Sequence, residues 1–145
     1  MKILAIRLKN INSFKGDHVI DFELKPFISS KIFAITGVTG SGKSTLLDVI
    51  TLALYHKIPR IGAINKSEIE NKGVICTQNI FDESYAEVEY FAQNKRYRSK
   101  WSISYTKNNT LRNPEMEVAC VTDDNQILAT RTDVIAKNTE IIGLD

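Results

Sequence analysis

The chain has 145 residues, 43% of them hydrophobic and 25% charged, the make-up of one soluble globular domain large enough to build its own core. Nineteen lysines and arginines against seventeen acids leave a net charge of +2, so bulk charge does not argue for a nucleic-acid partner. Cys76 and Cys120 lie far apart without ligand-like spacing and read as reduced thiols, and the longest apolar run, Leu46 to Tyr55, is too short to cross a bilayer and contains Asp48. Met1-Lys2 leads straight into patterned sequence with no signal peptide, so a cytoplasmic protein without a membrane partner is expected.

From Met1 to Asn10 the residues alternate, with Leu4, Ile6 and Leu8 on one face and Arg7 and Lys9 on the other. His18 to Leu24 repeats the pattern, so the chain is predicted to open with a β-hairpin turning at Ser13–Asp17. Pro26 and Ser29-Ser30 break it, and Lys31 to Thr36 reads as a buried strand. A glycine-rich loop follows, then a mostly apolar helix that ends near His56, closed by Pro59. Residues 60–80 are weakly patterned and read as a loop or a short irregular helix. Tyr85 to Phe91 and Arg96 to Tyr105 form a second predicted hairpin around Asn94-Lys95. Glu117 to Val121 and Ile127 to Thr130 form a third around Asp123-Asp124-Asn125. Thr132 to Ile142 has helical spacing, with Gly143 as its C-cap.

The loop reads Gly37-Val38-Thr39-Gly40-Ser41-Gly42-Lys43-Ser44, followed by Thr45. Its glycines let the backbone form a nest of N–H groups around phosphate oxygens, and the helix N-terminus adds positive charge beneath them. Lys43 would reach the β- and γ-phosphates and the Ser44 hydroxyl would hold Mg2+, so ATP and Mg2+ are the expected ligands. A strand before the loop and a helix after it favour this phosphate-binding reading over a structural turn.

Hydrolysis needs more than a cradle. It needs an acid at the end of a second apolar strand and a group that orients water. Val19-Ile20-Asp21 is too short, and in Val118 to Asp124 the acids look like turn residues. Asn65-Lys66-Ser67-Glu68 faintly echoes a guanine-reading motif but has the wrong last residue and no strand before it. The chain therefore reads as a nucleotide-binding lobe that binds ATP weakly and does not turn it over alone.

Hairpin, P-loop strand, P-loop, apolar helix and then antiparallel hairpins resemble the first half of an ABC-type ATPase head. The opening Met1 to Phe14, Phe33 to Gly37, Ser44 to Asp48, and Leu52-Ala53-Leu54-Tyr55-His56 with Pro59-Arg60 resemble the SbcC family, the ATPase subunits of the bacterial SbcCD nuclease. The match is dense over residues 1–60. Beyond them it thins to the hairpin pattern and to Gly143-Leu144-Asp145, which resembles the stretch before the family's Q-loop.

The resemblance implies an α/β fold, the incomplete N-terminal lobe of a split head, with residues 1–145 as one domain. It places the coiled coil, Q-loop, signature motif and catalytic acids elsewhere in a longer chain. The implied partners are that chain's C-terminal half, a second copy joined through ATP, an SbcD-type nuclease and double-stranded DNA, at the nucleoid. It adds Asn12 and Ser13 to the phosphate site. Asn12 as an ordinary turn residue is the other reading. Other SMC- or RecF-like repair ATPases, a small P-loop kinase and a nucleotide-dependent interaction module stand as alternatives.

Phe91 to Pro114 carries six basic residues and no acid. Arg96, Arg98 and Lys100 would share one strand face, with Lys95 at the turn. That stripe reads either as a DNA phosphate contact or as a solvated sheet face, partly neutralised if Glu89 stands opposite Lys100 and Glu87 opposite Ser102. Tyr97 and Trp101 alternate away from it, as core residues would. His56 reads as a helix-end histidine interacting with the dipole, with a coupling role as the other reading.

Overall fold

The computed structural model describes the chain except residues 31, 33, 39–41, 77–81 and 144–145. The described elements are β1 (Lys2–Ile11), β2 (Phe14–Asp21), α1 (Lys43–Tyr55), β3 (Lys57–Ile58), β4 (Gly62–Ala63), α2 (Lys66–Asn71), β5 (Glu83–Ala92), β6 (Lys95–Ser104), β7 (Glu115–Cys120), β8 (Gln126–Thr130) and α3 (Asp133–Ile142). Six strands form one sheet in the order β2-β1-β5-β6-β7-β8, every neighbouring pair antiparallel. The predicted α/β lobe with antiparallel hairpins is what forms.

Alternation along the strands decides which face is buried. Ile6, Leu8, Val88, Tyr90, Trp101 and Val118 point to the inner face, where they meet Val49, Leu52 and Ala53 of α1 and Val134 and Ile141 of α3. Asn138 lies on that inward face of α3 and is fully buried. Its Nδ2 donates to the Leu54 carbonyl (2.9 Å) and to Ser99 Oγ (2.9 Å), and its Oδ1 accepts from the Tyr90 hydroxyl (2.7 Å). Every polar atom of the amide is satisfied, which a core position demands.

Three expectations are corrected. The first turn is shorter than predicted: Asn12-Ser13 joins β1 to β2, with Asn12 at φ 50, because an asparagine tolerates the left-handed region a tight turn needs. The second hairpin turns at Gln93-Asn94, not Asn94-Lys95, with φ values of 49 and 60. Two consecutive positive φ angles match the twist of the flanking strands. That slip changes the register, so Glu89 faces Arg98 and Glu87 faces Lys100.

The third concerns the strand expected at 31–36. Lys31 and Phe33 lie outside the described residues, and Ile32, Ala34, Ile35 and Thr36 carry no strand. Ile32 is 89% and Ile35 52% exposed. A strand buried on both faces needs neighbours to pair with, and no described strand runs beside this one.

Candidate nucleotide site and charged sheet face

α1 opens on the loop glycine. Gly42 is its N-cap at φ 93 and offers no side-chain cap, and the first turn carries no acid. The initial N–H groups thus have no side-chain anion competing for them, the condition under which a helix N-terminus takes a phosphate. A Cβ on Gly42 would collide with the ring of Phe14 from β2, so glycine is required by space as well as by dihedral. The Phe14 ring is itself held edge-on to His18, with centroids 5.1 Å apart. Gly42→Ala is expected to cost about 1–3 kcal/mol, from left-handed strain and displacement of that ring. Urea unfolding measures it, and Phe14→Ala/Gly42→Ala should recover only the overlap part.

Lys43 folds back over the loop, its ammonium donating to the Gly37 carbonyl and to that of Val38 (3.2 Å). Ser44 is exposed and Thr45 is buried. Thr39, Gly40 and Ser41 lie outside the described residues. Asn12 reaches the first turn of α1, its Nδ2 donating to Thr45 Oγ1 (3.1 Å) and Asp48 Oδ2 (2.9 Å), while Ser13 is exposed at the turn. Asp48 is 2% exposed and pairs also with Arg60 (3.2 Å). The β1–β2 turn and the segment after β3 are thereby fastened to the helix that carries the P-loop lysine. Asp48 and Arg60 escape a chemical reading of sequence because neither belongs to the loop motif. The four-residue step from Ser44 to Asp48, which puts both on one helix face, was the available signal.

The sheet's outer face alternates in sign from strand to strand. β2 brings Asp17 and Asp21, β1 Arg7 and Lys9, β5 Glu83, Glu87 and Glu89, β6 Arg96, Arg98 and Lys100, and β7 Glu115 and Glu117. Arg96 contacts Glu23 (2.6 Å) and Glu89 (2.8 Å), while Arg98 contacts Glu117 (3.0 Å). Lys95 contacts Asp123 (2.6 Å), and Lys100 lies 4.0 Å from Glu83. Burial alone would push the Glu89 carboxyl up, but hydrogen bonds from Arg96 and Arg7 hold it below its ordinary value. All four predicted contact residues thus have carboxylate partners within the fold, which favours the solvated-face reading.

Two motifs resolve into structure. Asn65 and Glu68 form a capping box at α2: Asn65 Oδ1 accepts from the Glu68 N–H (3.0 Å), and the Glu68 carboxylate accepts from the Asn65 N–H (3.0 Å). The guanine-motif echo is a helix start. His56 closes α1 in the left-handed region (φ 53), and its Nδ1 accepts from the Trp101 indole N–H (2.8 Å). An indole only donates, so the imidazole proton sits on Nε2. Burial lowers the His56 pKa, and a hydrogen bond with the Ile64 backbone opposes this only in part. At the C-terminal end of α1 the imidazole thus serves as a hydrogen-bond acceptor, and desolvation disfavours its charged form.

No described helix is long and apolar enough to cross a membrane, and the described residues contain no group of three or more His, Cys, Asp or Glu placed to hold a metal ion.

The family model described as an AAA domain matches residues 5–142. The chain is 40% identical to the SbcC component of the SbcCD nuclease of Pseudomonas aeruginosa over 111 residues, 70% of this chain and 9% of that protein. It is 43% identical to "Probable DNA double-strand break repair Rad50 ATPase" of Aquifex aeolicus over 63 residues, 43% of this chain and 6% of that protein. The SbcC component of the Vibrio cholerae SbcCD nuclease aligns with the whole chain at 28% identity, over 14% of its own length. The chain spans less than a sixth of each of these relatives, and the resemblance seen in residues 1–60 is borne out. From the helix start at Gly42 and Lys43 to the match over residues 5–142, the chain belongs to the AAA domain family of P-loop proteins, as an N-terminal SbcC-type ATPase segment.

Proposed function

We propose that this chain is the N-terminal ATP- and Mg2+-binding lobe of a DNA double-strand-break repair ATPase of the SbcC and Rad50 type. The observation that carries it is the start of α1, where an uncapped helix end, a left-handed Gly42 and Lys43 converge. These groups suit a polyphosphate. Gly37 to Thr45 would hold the phosphates, Ser44 would supply a Mg2+ ligand, and Asn12 and Ser13 would border the site. ATP with Mg2+ supplies the phosphoryl group for hydrolysis. This chain's residues bind and orient it: the loop backbone donates, Lys43 neutralises charge, and Asn12 with Asp48 sets the helix against the sheet.

Uncovered apolar surface supports the reading of residues 1–145 as one part of a split head. α1 is apolar on nearly every side, yet Leu47 is 51% exposed, and Ile35 and Val38 before it are exposed as well. A helix apolar all round belongs in an interior. Further strands of a longer chain would cover it. Such a head would join a second copy across ATP and regulate an SbcD-type nuclease acting on DNA ends and hairpins, in the cytoplasm at the nucleoid.

A polypeptide of these 145 residues is expected to bind ATP but to hydrolyse it no faster than its Lys43→Ala variant. Asp48, the acid nearest the loop in α1, is already engaged by Asn12 and Arg60 and is not free to orient water. Steady-state phosphate release decides it, and a rate well above that control would overturn the incomplete-lobe reading.

A further inference from the structure

We propose that Phe14 is a positioning residue for the phosphate site, its ring holding Gly42 in the left-handed form that aims the first N–H groups of α1 at a ligand. The proposal rests on the nucleotide-binding reading above. It assigns the ring to the backbone of the loop rather than to the ligand.

Gly42 is where the loop becomes helix. At φ 93 and ψ 9 it is the N-cap of α1, and its carbonyl accepts from the Thr45 N–H (3.1 Å), the bond that opens the helix. No side-chain hydrogen bond caps this end, so the helix supplies no brace of its own for the turn. A glycine left alone visits both signs of φ about equally. Here the Phe14 ring lies on the side of Gly42 where any other residue would carry its Cβ, with Cε2 and Cζ nearest. A switch in the sign of φ would re-aim the flanking peptides and give up that contact.

The ring can act as a stop because its own place is fixed several times over. His18 stands edge-on to it at 85°, and His18 Nε2 donates to the Lys15 carbonyl (2.8 Å). Phe14 pairs with Ile11 across the turn, and its carbonyl accepts from Cys76 Sγ (3.4 Å). Asn10, buried at φ 52, locks the base of the turn. Its Oδ1 accepts from the Gly16 N–H (2.8 Å) and its Nδ2 donates to the Glu83 carbonyl (3.2 Å). Its own carbonyl accepts from the Cys76 N–H (3.0 Å) and the Ser84 hydroxyl (3.0 Å).

One braced turn therefore sends two side chains to the start of α1. Asn12 bonds Thr45 and Asp48 within the helix, which sets where the helix lies. Phe14 meets the N-cap in front of it, which sets how the chain enters. A site whose backbone is already arranged binds without an ordering step. With the ring removed, Gly42 would hold the competent form only part of the time, and apparent affinity would fall by that fraction. The ordering of one residue's backbone corresponds to a loss of about 5–30-fold. It should appear in association, because the complex once formed is the same.

The test uses the intact protein, a fluorescent ATP analogue followed by stopped flow, and inorganic tripolyphosphate as a competitor without base or sugar. Phe14→Ala should weaken both ligands by about 5–30-fold through slower association, with the dissociation rate of the analogue kept. Phe14→Leu keeps apolar bulk against Gly42 and should show the same loss at smaller size, which serves where Phe14→Ala melts below the assay temperature. Lys43→Ala should instead speed dissociation. Wild-type affinity in every folded Phe14 variant overturns the proposal. A loss confined to the ATP analogue would set the ring against the nucleoside and overturn it too, as would a loss carried by faster dissociation. Each of these leaves the nucleotide-binding reading intact. A wild-type protein that binds neither ligand overturns both.

Discussion

Trp101→Ala is expected to destabilise the protein by about 3–5 kcal/mol, the range for truncating a buried indole. Trp101 is fully buried at the centre of β6, and its N–H is committed to His56 Nδ1. Truncation leaves a cavity between β6 and α1 and an imidazole nitrogen without its donor. Trp101→Phe keeps most of the volume and removes only the donor, so it should cost about 1–3 kcal/mol. Urea unfolding followed by far-UV circular dichroism measures both, and a Trp101→Phe cost equal to that of Trp101→Ala would rule out cavity formation as the main cause.

The same contact makes stability depend on pH. His56 is held below its ordinary value of 6.5, so the unfolded chain binds the proton more readily than the folded one. Its contribution is complete above pH 6.5 and is lost as the pH falls from there through the depressed folded value. Protonation also puts a hydrogen on Nδ1, where the indole must donate, and breaks the bond. Trp101 is the chain's one tryptophan, so its fluorescence reports the event directly. A Trp101 emission titration in His56→Gln should lose the transition seen in the wild type.

Lys43→Ala is expected to weaken ATP binding by about 10–100-fold, the equivalent of losing one or two charge-assisted bonds to phosphate oxygens. The ammonium donates to the Gly37 and Val38 carbonyls. ATP binding would exchange these neutral acceptors for phosphate oxygens, which are stronger partners for a cation. The folded state should be nearly indifferent to the change, because those bonds lie at the exposed loop. Thermal unfolding should shift little, while a fluorescent ATP analogue should report the loss. Lys43→Arg keeps the charge but not the compact point geometry and should recover only part of the affinity. Equal ATP affinity in wild type and Lys43→Ala would overturn the P-loop assignment.

Local chemistry was legible in the sequence wherever one segment suffices to define it. The period of two in residues 2–10, 85–91 and 96–105 marks strands because a pleated chain turns successive side chains to opposite faces. Glycine spacing before Lys43 and the apolar run after it carry the proposal of a phosphate cradle for the same local reason. The Asn65–Glu68 capping box was equally local and was missed because its residue types also suggest a nucleotide motif. Asn138 hid among apolar neighbours on α3, since its partners Tyr90, Ser99 and Leu54 lie far away in the chain.

Tertiary structure decided what depends on partners. Whether the basic stripe is free or neutralised turns on strand order, which sets acidic β5 and β7 on either side of β6. A one-residue change in turn position moved every cross-strand pair, because register inherits the turn. The strand expected at 31–36 needed neighbours that the described sheet does not provide. By itself the sequence pointed to a nucleotide, through the residue types gathered in Gly37–Thr45. Only the fold decided which cations remain unpaired and how Asn12, Asp48 and Phe14 grip the P-loop helix, because pairing and packing join segments that no local pattern relates.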